Sequence, residues 1–343
     1  MRNQRVSLRI LSILLVGIFC SAAWAQDRLI ITPRDGHDPF ITAIDSAKKK
    51  VELIMFHLSD RVVIESLKSA QTRGVDVRVI LDQNIAGKSQ SAPGIIKDMQ
   101  SKGVTVQLSS PAFSITHEKS MLVDDATLFI TSINLATIVA KTRDFGVITA
   151  DRDVIDEYQK FFDADWTNAQ AGTDVSPVGG TRLVWSPGTS ADRLVQFIAS
   201  AKKSVHIEIE NLGAVEIQGA LLAAAKSGVE VKVLVSECGM GDPNRNEPFL
   251  DELGTGGVQV FMMTGPATPA KPYIHAKVIV ADGEKFFVGS ENFSYNSLIK
   301  AREVGIISAD ATMAKELAST ISGDFAIADL RKVGAKAVCP KLF

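Results

Sequence analysis

The chain has 343 residues, a formal net charge of −2, and a composition that is 46% hydrophobic and 22% charged. This length suffices for two domains with substantial apolar cores. A weakly acidic protein lacks the broad basic surface typical of proteins that bind nucleic acid without sequence preference.

Residues 1–25 have the features of an export signal. Arg2, Arg5 and Arg9 precede an apolar run at residues 10–19, and Ala23-Trp24-Ala25 offers a small-x-small cleavage site. The apolar run is short for a bilayer span, so we expect cleavage rather than an uncleaved anchor. Three Arg and no acid would be lost, leaving a formal charge of −5. We therefore expect a secreted or periplasmic monomer without a transmembrane segment.

Two cysteines would remain after cleavage, Cys238 and Cys339. In an oxidising compartment they could form a disulfide bond or stay as free thiols, and the sequence does not decide between these states.

The rest of the chain contains an internal duplication. Segments 28–33, 46–49 and 74–79 match segments 182–187, 200–203 and 228–233, each at an offset of 154 residues. The offset later grows to 158 and 159, which places an insertion of about four residues within 262–272 of the second copy. We predict a first lobe at 26–166, a linker rich in Gly and Pro at 167–181, a second lobe at 182–326 and a tail at 327–343.

Each copy alternates predicted strands with predicted helices. In the first copy, strands at 29–31, 51–56, 75–81 and 104–108 alternate with helices, two of which are at 40–49 and 62–72. The second copy repeats this order, and Gly74 and Gly228 follow equivalent helices at positions suited to a helix C-terminus. The alternation predicts an α/β fold in which each lobe is a mixed β-sheet flanked by helices.

A His-x-Lys-x4-Asp motif followed by Ser-x-Asn closes each copy. The first copy has His117, Lys119, Asp124, Ser132 and Asn134, and the second has His275, Lys277, Asp282, Ser290 and Asn292. A lone histidine on a strand is usually structural, but five positions that all recur at an offset of 158 make coincidence a poor explanation. Alternating apolar neighbours place each His and Lys on one side of a strand, where they suit an anion.

These two motifs resemble those of the phospholipase D superfamily, and the resemblance covers nearly all of the chain after residue 27. It implies an exported bacterial-type phospholipase D-like protein with a shared active site between the lobes. One His would attack the phosphodiester and the other would protonate the leaving alcohol and then activate the acceptor. The resemblance implies that no cofactor or metal is needed, and that the phosphate oxygens are bound by Lys119, Lys277, Ser132, Asn134, Ser290 and Asn292.

Supporting roles follow from the same resemblance. The superfamily has a carboxylate after the Ser/Asn pair that orients a histidine, and this position falls on Asp144 and Glu303. We expect Asp144 to orient His117 and Glu303 to orient His275, each within its own copy.

Several polar residues have structural interpretations. Asp124 and Asp282 follow apolar strands and are expected to fix loops rather than take part in chemistry. Arg143 and Arg302 are expected to form ion pairs.

The combined interpretation is a phosphodiester hydrolase, specifically a phospholipase D that cleaves glycerophospholipids at a membrane surface, with transphosphatidylation if an alcohol replaces water. The alternatives are a metal-independent nuclease of the superfamily and a cardiolipin synthase-like phosphatidyltransferase. A lipid enzyme needs an apolar rim, and the candidates are Phe113, Ile115, Met262 and Met263. The sequence leaves open the head group, the acceptor and the identity of the nucleophile, for which precedent in the superfamily favours His117.

Overall fold

The computed structural model describes residues 27–88, 91–239 and 246–337. The predicted export signal and Cys339 lie outside these residues, while Cys238 is disulfide-bonded. In the described segments, no helix combines the length and apolar character needed to cross a bilayer.

The first lobe contains eight strands and five α-helices within the described residues. Its strands are β1 (Arg28–Ile31), β2 (Lys50–Met55), β3 (Asp76–Leu81), β4 (Thr105–Leu108), β5 (Lys119–Val123), β6 (Thr127–Thr131), β7 (Thr142–Arg143) and β8 (Phe145–Thr149). Its helices are α1 (Asp38–Ser46), α2 (Arg61–Thr72), α3 (Gln83–Lys88), α4 (Ala92–Ser101) and α5 (Arg152–Ala171), with a 3-10 helix at Thr137–Lys141.

The second lobe repeats this order with local additions. Its strands are β9 (Leu183–Ser186), β10 (Ser204–Ile209), β11 (Glu230–Ser236), β12 (Gln259–Met263), β13 (Tyr273–Ile274), β14 (Lys277–Ala281), β15 (Lys285–Gly289), β16 (Glu303–Ser308) and β17 (Asp329–Leu330). Its helices are α6 (Ser190–Ser200), α7 (Val215–Lys226), α8 (Glu247–Thr255), α9 (Tyr295–Ile299) and α10 (Ala311–Ile327).

Each lobe is built on one mixed sheet. The first has the strand order β1-β8-β6-β5-β2-β3-β4, and the second has the order β17-β12-β11-β10-β14-β15-β16-β9. Helical crossovers make β2, β3 and β4 parallel, as they do β10, β11 and β12, whereas the hairpins of the motif strands are antiparallel. The predicted α/β fold with two duplicated lobes is confirmed.

The lobes share a core as well as having cores of their own. One apolar cluster contains buried side chains from both sheets, including Leu122 and Val147 from the first and Val280 and Phe286 from the second. Helix α5 adds Phe162 to this cluster, and its equivalent α10 adds Phe325. Because the two sheets bury apolar surface against each other, the motif strands β5 and β14 are held at the junction of the lobes.

Asp124 and Asp282 have the structural role expected of them. Each lies just after a motif strand with a positive φ, 54° and 58° respectively. The carboxylate of Asp124 accepts hydrogen bonds from the backbone N–H groups of residues 48–50, and that of Asp282 does the same for residues 202–204. Each Asp therefore ties a motif hairpin to the start of the neighbouring strand.

Replacing Asp124 with Ala should lower the free energy of unfolding by about 2 kcal/mol, because three backbone donors lose a charged acceptor. Alanine also tolerates the positive φ poorly, whereas Asp124→Asn should lose less than half as much since Asn adopts this conformation and keeps an acceptor oxygen. Urea denaturation measures both variants. Wild-type stability combined with lost activity would place Asp124 in the chemistry instead.

Candidate active site

The backbone of each motif histidine is bound to the opposite lobe. His117 N–H donates to the carbonyl oxygen of Arg302 at 2.9 Å, and His275 N–H donates to that of Arg143 at 3.1 Å. Strand β13, next to His275, pairs in parallel with β7, and Thr116 forms the equivalent bridge to Arg302. The two lobes thus exchange backbone hydrogen bonds at the positions that carry the histidines.

The carboxylates that orient the imidazoles also come from the opposite lobe. His117 Nδ1 lies 2.8 Å from Glu303 Oε2, and His275 Nδ1 lies 2.6 Å from Asp144 Oδ1. The expected pairing within each copy is wrong, because the segment preceding each carboxylate pairs with the histidine segment of the other lobe. An Nδ1–H donated to a carboxylate leaves Nε2 with its lone pair.

Both imidazoles line one open cavity of about 630 Å³ between the lobes. Asn134 and Asn292 line the same cavity, as does Ile115. The other three candidates for an apolar rim, Phe113, Met262 and Met263, are buried. The shared site that the double motif predicted is therefore present, with an amide from each Ser/Asn pair at its wall.

The two lysines lie behind the histidines and are fully buried. Lys119 Nζ donates to the carbonyl oxygen of His117, and Lys277 Nζ donates to that of His275, each at 2.5 Å. Burial, followed by the nearby charge of Lys277, lowers the pKa of Lys119 to about 7. The positive charge of Lys119 is thus sensitive to pH near neutrality.

Ser132 and Ser290 do not have the predicted contact with the cavity. Both are fully buried, and the hydroxyl of Ser132 donates to Asp144 Oδ1 at 2.7 Å. The hydroxyl of Ser290 instead accepts from the backbone N–H of Val304, which follows Glu303. The two hydroxyls therefore support the strands that carry the orienting carboxylates, and the prediction that they bind phosphate directly is corrected.

The electrostatics of the two histidines differ. Burial lowers the pKa of His117 well below its ordinary value, and the charges of Lys119 and Lys277 lower it further. Burial raises the pKa of Glu303 to about 7, although Lys119 opposes this. The His117 imidazole is consequently held neutral at physiological pH, in the form that a nucleophile needs.

Glu210 makes the contributions of the two lobes to the cavity unequal, and a comparison of the two copies identifies it. Glu210 directly follows β10, and the matching residue after β2 is Phe56, at the offset of 154 residues. Glu210 Oε2 lies 2.9 Å from Lys277 Nζ and 3.5 Å from His275 Nε2. Phe56 instead lies against His117 with ring centroids 4.6 Å apart. One lobe thus presents a carboxylate to the cavity where the other presents an aromatic ring.

Arg143 and Arg302 form the ion pairs expected of them, and both pairs cross between lobes. Arg143 binds Asp324 on α10 through two nitrogens, and Arg302 binds Asp165 on α5 at 2.7 Å. Each Arg directly precedes the carboxylate that orients a histidine. The pairs therefore fix the segments from which Asp144 and Glu303 reach across the junction.

Among the described residues, no group of three or more His, Cys, Asp or Glu side chains is arranged to hold a metal ion.

Comparison with known proteins gives one family and a consistent set of relatives. The family model described as "Cardiolipin synthase, PLD-like domain" matches residues 40–166 and 194–325. The probable cardiolipin synthase YwiE of Bacillus subtilis is 25% identical over 80% of this chain, which spans 60% of that protein. The major cardiolipin synthase ClsA of the same organism is 23% identical over 89% of this chain and is covered over 70% of its own length.

Among solved structures, the phosphatidylserine synthase of Haemophilus influenzae has a similar fold. The TM-score is 0.70 at 11% sequence identity, and the match covers 89% of this chain and 87% of that one. At this identity the likeness concerns the fold alone.

The prediction of a hydrolytic phospholipase D as the main function is wrong. The relatives that match most of the chain are named cardiolipin synthases, which agrees with the alternative of a phosphatidyltransferase. In the mechanism that the resemblance implies, hydrolysis and transfer differ only in whether water or an alcohol reaches the intermediate, so motif spacing does not distinguish them.

Proposed function

The chain belongs to the family of phospholipase D-like proteins that includes the cardiolipin synthases, and from this membership we propose that it is a phosphatidyltransferase. In the proposed reaction, the phosphatidyl group of one phospholipid moves to an alcohol hydroxyl of a second phospholipid, as in cardiolipin synthesis. The observation that carries the proposal is the pair of imidazoles, one from each lobe, on a single cavity. The curated relatives favour an alcohol over water as the acceptor.

In the first step, His117 Nε2 attacks the phosphorus of the donor phosphodiester. An N–P bond forms, the bond between phosphorus and the head-group oxygen breaks, and His275 gives its Nε2 proton to the departing alcohol. Glu303 accepts the Nδ1–H of His117 and so directs the Nε2 lone pair into the cavity.

In the second step, the hydroxyl of the acceptor attacks the phosphohistidine. The neutral His275 takes the hydroxyl proton, an O–P bond forms, and the N–P bond to His117 breaks. The step returns both imidazoles to their starting protonation states. Water in place of the alcohol would give phosphatidic acid, so the competition between the two acceptors determines the product.

The assignment of His117 as the nucleophile rests on its surroundings. A neutral imidazole is favoured at His117 by burial and by two neighbouring lysines. A cationic imidazolium at His275 would instead have Asp144 and Glu210 as anionic neighbours. The difference suits a nucleophile on the first lobe and a proton donor on the second.

Charge on the phosphoryl oxygens needs fixed donors in the transition state. Asn134 and Asn292 line the cavity, and the side-chain oxygen of Asn292 accepts from the backbone N–H of Asn211. The NH₂ group of Asn292 donates to Glu210 Oε2 at 3.4 Å and has a second N–H for a phosphoryl oxygen. The lysines behind the histidines contribute positive potential in a poorly hydrated environment. We propose that Asn134 and Asn292 bind the phosphoryl oxygens directly and that the two lysines act through their charge.

We expect kcat/KM for a soluble short-chain phospholipid to be greatest near pH 7 and to fall on both sides. Below about pH 7 Glu303 becomes protonated and accepts the His117 Nδ1–H less strongly. Above about pH 7 Lys119 loses its charge and attracts phosphate less. Each limb should approach a tenfold fall per pH unit. Glu303→Gln should lose the acidic limb, and a flat profile from pH 6 to 8 would contradict the assignment.

The proposed function is tested with the purified protein and phosphatidylglycerol in mixed micelles, with products resolved by mass spectrometry. Cardiolipin and free glycerol should appear together, and should be absent with His275→Ala. A matched control is His206→Ala, since His206 pairs with Glu230 and is not among the residues that line the cavity. Phosphatidic acid as the sole product, even with added alcohol, would refute the transferase, and cleavage of single-stranded DNA without lipid turnover would favour a nuclease.

A further inference from the structure

Glu210 occupies a distinctive place in the cavity. Its side chain is 11% exposed and lines the cavity beside His275. Oε2 accepts from Lys277 Nζ at 2.9 Å and from Asn292 Nδ2 at 3.4 Å, and Oε1 accepts from the hydroxyl of Tyr273 at 3.2 Å. An ionised carboxylate has about four acceptor positions, so Glu210 keeps one position, on Oε1, for a donor in the cavity.

The carboxylate is ionised under all ordinary conditions. Burial would raise the pKa of Glu210, but Lys277 and His275 together lower it well below its ordinary value. A fixed negative charge at this place repels a phosphoryl oxygen from the second-lobe side of the cavity. The equivalent Phe56 adds no negative charge beside His117, so the phosphoryl group is better accommodated on the first-lobe side.

The alcohol must then lie on the side of Glu210. To exchange a proton with His275 Nε2, the alcohol oxygen has to come within about 2.6–3.2 Å of that nitrogen. Glu210 Oε2 is 3.5 Å from the same nitrogen. A second hydroxyl on the carbon next to the reacting one would therefore fall within hydrogen-bonding reach of the carboxylate.

We propose that Glu210 is a specificity-determining residue that accepts a hydrogen bond from a second hydroxyl of the leaving or incoming alcohol. The site then selects polyol alcohols, of which glycerol is the simplest vicinal example, over monohydric alcohols of the same length. This inference rests on the proposed function, since it concerns the alcohol of the transfer reaction. An alcohol that lacks the second hydroxyl forgoes this hydrogen bond to a charged acceptor and is bound less tightly.

The experiment is a competition between acceptors. The full chain is given dioctanoylphosphatidylglycerol with equal concentrations of deuterated glycerol and 1-propanol, and deuterated phosphatidylglycerol and phosphatidylpropanol are quantified by mass spectrometry. Wild-type protein should favour glycerol by roughly tenfold or more, the discrimination that one hydrogen bond to a charged acceptor provides. Glu210→Gln and Glu210→Met should bring the ratio towards one, with KM rising for glycerol but not for 1-propanol.

A control variant and the wild-type result keep the outcomes separate. His57→Asn changes a cavity residue of the first lobe to the type found at the matching Asn211, and it should leave the ratio unaltered. If Glu210 serves only as a counter-ion of Lys277, its variants will slow both acceptors equally, which overturns the inference. A wild-type ratio near one overturns it even if the variants fail to fold. Absence of both products from the wild type would instead refute the proposed phosphatidyl transfer.

Discussion

Replacing either His117 or His275 with Ala should lower kcat for phosphatidyl transfer by roughly 10³-fold or more, because each lobe supplies a role that the other cannot fill. The two rings share one cavity, and each is oriented by a carboxylate of the opposite lobe. The double variant should be little worse than either single variant, as expected for residues that act as a unit. Steady-state assays with a soluble donor measure all three.

The two single variants should differ in which step they lose. With a p-nitrophenyl ester as donor, the leaving group needs little protonation, so His275→Ala should still release p-nitrophenol and accumulate phosphohistidine on His117. His117→Ala should do neither. Peptide mass spectrometry after a quench at neutral or alkaline pH locates the phosphoryl group, and label on His275 in the wild-type protein would reverse the assignment. Activity close to wild type in either alanine variant would refute the shared site.

The architecture was accessible from sequence because the duplication records it twice. The His, Lys, Asp, Ser and Asn spacing recurs at one offset, and matching apolar segments in the two copies indicate the same order of helices and strands in both lobes. The loop-fixing role of Asp124 could be predicted as well, because an Asp after an apolar strand satisfies local backbone donors. These features depend on local chemistry or on repetition within the chain.

The contacts between lobes could not be read in the same way. Glu303 lies 28 positions after His275 and 186 after His117, yet it binds His117. Sequence proximity favoured the wrong partner, since nothing in either copy records that Thr116 bridges to Arg302, or that β7 pairs with β13, across the junction. The contact of Ser132 with Asp144 lies within the first lobe, but it depends on the pairing of β6 with β8, which the motif spacing does not indicate.

The two copies differ at a position that is informative about the site. A position that is Phe56 in one lobe and Glu210 in the other breaks the symmetry beside the motif histidines. In a duplicated enzyme whose halves share one reaction, such differences indicate where the two roles diverge.

The ion pair of Arg302 with Asp165 should be among the most sensitive contacts of the fold. The Arg302 side chain is 1% exposed, and its guanidinium lies over the rings of Trp185 and Phe161, at 4.8 Å and 5.0 Å from their centroids. Burial and Asp165 raise the pKa of Glu118, a fully buried carboxyl, to about 7, and the charge of Arg302 opposes this rise. Removing this guanidinium leaves two buried carboxyl groups without their cation.

Arg302→Met should therefore lower the free energy of unfolding by about 3–5 kcal/mol, the usual cost of removing one partner from a buried pair. Burial raises the pKa of Asp165 and Arg302 opposes this rise, so without Arg302 the carboxyl is harder to ionise in the folded protein. The loss in free energy of unfolding caused by Arg302→Met should therefore grow as pH rises. Arg302→Met with Asp165→Asn should recover much of the loss, whereas Arg34→Met, in a surface pair with Glu316, should cost less than about 1 kcal/mol. Urea denaturation at pH 5 and pH 8 measures each variant. A loss below about 1 kcal/mol for Arg302→Met at both pH values would show that the pair does not hold the lobes together.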